Sequence, residues 1–197
     1  MSNTDAKSKP ALGFLTVVEH PQYGLFGGYL VLNAVGRPLE FHCTAPIKPN
    51  RAQEILYGPT LEAFLYGEQI GQTLISQAST PPMLICTDRV PALAVREHVS
   101  TPVVLVLPPE GDAVAGQEAD PMTEGESGRV LRLDAAHHGP TLATFRLGRN
   151  RLALPERADE DRRLITERLV ELAESFDLAE PFQRIRDAIE EAQQAVR

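Results

Sequence analysis

From Gly24 to Thr44 the chain reads Gly-Leu-Phe-Gly-Gly-Tyr-Leu-Val-Leu-Asn-Ala-Val-Gly-Arg-Pro-Leu-Glu-Phe-His-Cys-Thr, and this run constrains the fold more than any other. Tyr29 to Leu32 suits a pleated surface, Asn33 to Gly36 supplies turn chemistry, and Leu39 to Thr44 alternates apolar with polar, which together predict a β-hairpin. Successive strand side chains point to opposite faces, so Leu39, Phe41 and Cys43 share one face and Glu40, His42 and Thr44 the other. The adjacent His42 and Cys43 therefore do not meet as base and nucleophile. Cys43 is assigned to the interior, where a free cysteine behaves as a small hydrophobe. Gly27 and Gly28 mark a bulge, the preferred reading, or a point where a backbone or ligand comes close. Gly27, Gly28, Glu40, His42 and Thr44 are the candidate binding residues of this run, with the Glu40 carboxylate placed to orient the His42 imidazole.

Further along, Asn50 is positioned to cap a helix through Tyr57, which Gly58 and Pro59 end, and a second helix runs from Thr60 to about Gln77. Two apolar runs, Met83 to Thr87 and Val103 to Leu107, flank a short helical stretch and read as strands buried on both faces. Asp88 follows the first of them, at the strand end where α/β sheets place ligands, and is a further candidate. Between Arg129 and Arg151 lie five arginines and the single acid Asp134, and Arg129, Arg146 and Arg149 are candidate anion ligands. At the C-terminus, Ile165, Leu169, Leu172 and Phe176, then Phe182, Ile185, Ile189 and Ala192, give two amphipathic helices.

A chain of 197 residues is long enough for one domain that buries about 70% of its unfolded surface. The pattern predicts an α+β protein: a mixed, mostly antiparallel sheet with helices packed on one face and a C-terminal helical pair. Residues 1–10 are read as a flexible N-terminus, 11–157 as the α+β domain and 158–197 as the helical pair. The domain is interrupted at 108–128 by an acidic segment with the composition of a disordered loop. That segment holds six acids and no base, so the net charge of −8 leaves only −2 for the rest of the chain. Such acidity argues against nonspecific nucleic-acid binding, and nucleic acid is not expected as a partner.

No Walker or dinucleotide fingerprint, nucleophile elbow or zinc-spaced Cys/His cluster is present in the sequence. No metal or cofactor is expected. The hairpin is similar in shape to those opening Nudix hydrolases, cytidine-deaminase-like enzymes and profilin-like scaffold domains. Arg96-Glu97 superficially resembles the core of a Nudix box, but the carboxylates that must follow it are missing, as are the His-x-Glu and Pro-Cys-x-x-Cys of the deaminases. Two readings follow. The first is a small binding or regulatory module making protein contacts, with a protein partner or a second copy held through the C-terminal helices. The alternative is an enzyme on a small anionic or nucleotide-like substrate, using Glu40 and His42 as acid/base groups. Two widely spaced cysteines, a polar N-terminus and no apolar stretch near 20 residues lead to the expectation of a soluble, cytoplasmic protein with reduced thiols.

Overall fold

The computed structural model describes residues 10–108, 130–131, 141–174 and 176–194. Its strands are β1 (Ala11–His20), β2 (Gly24–Asn33), β3 (Pro38–Cys43), β4 (Leu84–Thr87), β5 (Val103–Leu107), β6 (Val130–Leu131), β7 (Leu142–Leu147) and β8 (Asn150–Pro155). They form one sheet in the order β3-β2-β1-β4-β5-β8-β7-β6. Among the described residues only the β1–β4 and β4–β5 pairings are parallel, so the sheet is mixed and mostly antiparallel and the class is α+β. The expected acidic loop and the His137-His138 pair lie outside the described residues, as do Arg129 and the first nine residues.

The hairpin forms as its residues dictate. Asn33 accepts hydrogen bonds on Oδ1 from the amides of Val35 and Arg37, and Gly36 takes a φ of 77° that an L side chain rarely adopts. The connection to β4 begins with α1 (Arg51–Tyr57), where Asn50 and Gln53 make a reciprocal capping box. It continues through α2 (Leu61–Ala63), a π-helical segment Phe64–Gln72 and α3 (Thr73–Gln77), and a 3₁₀ helix, Val90–Glu97, links β4 to β5. These middle helices cover one face of the sheet, where Leu15, Val17, Tyr29 and Val31 pack against Leu65, Ile70, Leu74 and Val95. The opposite face carries α4 (Asp159–Ala173) and α5 (Glu180–Gln194), whose Ile165, Leu169, Phe182, Ile185 and Ile189 pack on Leu12, Phe14, Leu30 and Cys86.

The glycine pair does not form a bulge. β1 and β2 stay in register through Val17↔Gly27 and Thr16↔Gly28, and the irregularity in β2 falls instead between Val31 and Leu32 against β3. The glycines let helices approach both faces. A Cβ on Gly27 would sit 2.2 Å from Ile70 Cγ2, and one on Gly28 would sit 2.3 Å from Ile185 Cγ2.

Alternation along β3 holds, but its inside and outside are reversed. Leu39 and Phe41 are 47% and 40% exposed and Cys43 is exposed, while Glu40 and His42 are half-buried. β3 ends the sheet, and α5 packs on β1 and β2, so the outlying face of β3 stays in water. Cys86, not Cys43, is the core thiol: it is fully buried, and burial pushes it above its usual titration range.

Candidate functional site

Glu40 and His42 lie side by side on β3, with His42 Nε2 3.1 Å from Glu40 Oε2. Glu40 also accepts the amide of Ser79 at 2.8 Å and a side-chain hydrogen bond from Thr80, so it ties the loop after α3 to the edge strand. Those bonds, Thr80 first, then Ser79 and His42, lower its pKa from 4.5 to about 2. A carboxylate so acidic is a poor proton acceptor at neutral pH, which leaves His42 as the group of this stripe suited to proton transfer. Thr44 is occupied structurally: its hydroxyl accepts the amide of Gly27 at 2.9 Å and its own amide donates to Gly27 at 3.0 Å.

Asp88 does not join this stripe. It follows β4 and accepts the Thr16 hydroxyl at 2.6 Å on one oxygen and Arg186 of α5 on the other. Thr16 shares with Phe14 the face that α5 covers, whereas Glu40 and His42 stand opposite Val31 and Tyr29 on the face of the middle helices. The sheet separates the two. Asp88 is therefore a clamp between β1, β4 and α5, and an acid/base site combining it with Glu40 and His42 does not exist in this fold.

Three arginines come together elsewhere. β7 and β8 are joined at Gly148 and Arg149, with φ of 56° at Gly148, and their register sets Arg146 directly opposite Arg151. The two arginines and Arg149 line a cavity of about 180 Å³ together with Leu107, Asn150 and Asp177. Asn150 fixes this corner. Buried at 5% exposure, it donates to the carbonyls of Ala173 and Phe176 at 3.1 and 2.9 Å and accepts the amide of Leu178 at 2.9 Å. Of the anion candidates, Arg146 and Arg149 meet at this cavity and Arg129 lies outside the described residues. Arg151 was not singled out from sequence; its membership in the five-arginine run was the available signal, and the hairpin register is what selects it.

These features sit along one edge of the sheet. The carboxyl ends of parallel β1, β4 and β5 point the same way, and β8 starts beside the end of β5, where Leu107 pairs with Arg151. The β1–β2 turn, Asp88 and the β7–β8 turn therefore share the edge at which open sheets place ligands. Among the described residues no group of three or more His, Cys, Asp or Glu side chains is arranged to hold a metal ion, and no helix is long and apolar enough to cross a membrane.

No protein-family model matches the chain, and no curated protein matches it. Solved structures do. Endonuclease V from Bacillus subtilis matches at 11% identity and a TM-score of 0.41, covering 81% of this chain and 71% of the other. Ciona intestinalis endonuclease V, in complex with a 23mer DNA containing an inosine, matches at 10% identity and 0.40, covering 82% and 78%. Human ENDOV matches at 12% identity and 0.42, covering 95% and 87%.

These are nucleases, one of them holding DNA, and not protein-binding modules. The expectation of a protein-binding module held through the C-terminal helices, with nucleic acid set aside as a partner, is corrected on the packing of α5: its apolar stripe of Phe182, Ile185 and Ile189 is buried on the sheet and not offered to a partner or a second copy. With TM-scores below 0.5 the likeness transfers no activity, substrate or residue role to this chain.

Proposed function

We propose that the chain binds a phosphate-bearing ligand of the nucleotide or nucleic-acid class at the cavity walled by Arg146, Arg149 and Arg151. The supporting observation is the direct opposition of Arg146 and Arg151 across the β7–β8 hairpin, at the mouth of a cavity. Arg151 also donates from Nη1 to the Pro108 carbonyl at 3.2 Å, which ties its guanidinium to the end of β5 beside the cavity. Arginine suits the role because its planar fork matches phosphate oxygens in pairs. Asp177 also lines the cavity and disfavours ligands that fill it with negative charge.

Fluorescence polarisation with a labelled single-stranded 12-mer, competed by ATP and by inorganic phosphate, tests the reading. Engagement of three arginines predicts that log K falls with log salt at a slope of about −2, at roughly −0.7 per phosphate neutralised. Arg146→Ala combined with Arg149→Ala is expected to weaken binding at least tenfold. No salt-dependent binding of any of the three probes, or unchanged affinity in the double variant, overturns it.

A second reading, an enzyme on an anionic or nucleotide-like substrate with His42 as proton carrier, is favoured by the 3.1 Å contact with Glu40. β3 and the β7–β8 hairpin stand toward opposite ends of the sheet, so a small substrate held at the arginine cavity does not reach His42. This reading therefore requires turnover that His42→Ala abolishes and Arg149→Ala leaves intact.

A further inference from the structure

The β1–β2 turn stands on the same edge of the sheet as the arginine cavity, and it presents the ring of Tyr23, 38% exposed. Local bonds hold that ring at a set angle. His20 accepts the amides of Gln22 and Tyr23 on Nδ1 at 3.1 and 3.2 Å, and Gly24 takes a φ of 94° to lead the chain into β2. The imidazole packs against the Tyr23 ring with centroids 4.6 Å apart, so the part of the ring left in water is an aromatic surface of fixed orientation. Lys48, from the chain that follows β3, donates to the Gln22 carbonyl and sets an ammonium group at the same turn.

In the strand order this turn, between β2 and β1, lies four strand spacings from the β8–β7 turn, roughly 19 Å at about 4.8 Å each. A mononucleotide seated at the arginines does not cover that distance. Phosphates of a stacked strand follow one another at about 3.4 Å, so a chain of about six nucleotides does. Between the two turns Asp88 is paired with Arg186, and a polyanion crossing the edge does not meet it as a bare carboxylate.

We propose that this edge carries a single-stranded nucleic acid, with phosphates at Arg146, Arg149 and Arg151 and, at the other end, a base stacked on Tyr23. The inference rests on the arginine cavity being a phosphate site, and it adds the length and strandedness of the ligand. Every base has a flat π-face, so one exposed ring accepts any of them, and stacking on aromatic side chains beside a cationic groove is how single strands are held without sequence preference. A duplex keeps its bases stacked on one another and offers the ring none along its length. Lys48 supplies a cation for the phosphate that flanks the stacked base.

The test is fluorescence polarisation of the full chain with four labelled probes: a single-stranded 12-mer, an abasic 12-mer with the same phosphates, a trimer, and the 12-mer as a duplex. Tyr23→Ala is expected to weaken the single-stranded 12-mer by about tenfold, the stacking of one base. It should leave the abasic 12-mer, the trimer and the duplex at their parent affinities, which also shows that the arginine cavity is intact in the variant. Tyr23→Phe keeps the ring and is expected to bind as the parent does. Equal affinity for the intact and abasic 12-mers, parent affinity in Tyr23→Ala, or a loss in that variant shared by the trimer overturns the stacking proposal and leaves the arginine reading standing. Failure of all four probes to bind overturns both.

Discussion

Glu40 shows how a residue that resembles a catalytic acid in sequence becomes a structural anchor in the fold. Its carboxylate receives Thr80, the Ser79 amide and His42, and its pKa falls from 4.5 to about 2. The folded state therefore favours the ionised form. Its contribution to stability is complete above pH 4.5 and is lost as the pH falls toward about 2. In urea titrations across that window, Glu40→Gln is expected to lose part of the acid-side decline in midpoint that the parent shows. An unchanged decline would place the anchoring elsewhere. His42 was legible as Glu40's neighbour because a strand repeats every two residues. Ser79 and Thr80 were not, because their approach depends on where the helices after β3 end.

At the level of elements, the joint between the β8 start and the α4–α5 connection rests on one side chain. Asn150 satisfies two carbonyls and one amide there, and they are left without a partner if it is removed. Asn150→Ala is expected to lower unfolding free energy by about 2–3 kcal/mol, the scale for leaving buried polar groups unpaired. Because the same joint supports Arg149 and Asp177, ligand affinity at the arginine cavity should fall with it. Chemical denaturation and the polarisation assay measure both. The strands and the two C-terminal helices were readable from apolar spacing. The pairing of β7 with β8 in a register that opposes two arginines was not, since pattern marks a strand but not its partner residue.

For the whole molecule, the two thiols offer a direct probe of cooperativity. Cys43 is exposed at the sheet edge and Cys86 lies in the core between the two helical layers. A thiol reagent is expected to label Cys43 at once in the native state, and Cys86 only through global opening. The dependence of Cys86 labelling on denaturant should then match that of unfolding. Fast labelling of both would show that the α5 face opens locally.

The sequence by itself determined the α+β class, the hairpin, the capped helix at Asn50 and the amphipathic C-terminal pair. Alternation, helical spacing and turn chemistry are local, and they act within a few residues. Only the tertiary structure decided that Cys43 faces water, that Gly27 and Gly28 admit helices on both faces, and that a sheet stands between Asp88 and Glu40. The same holds for Arg151 joining Arg146. Each of these depends on which layers cover which face and on how distant strands align, and neither is encoded in the spacing of neighbours along the chain.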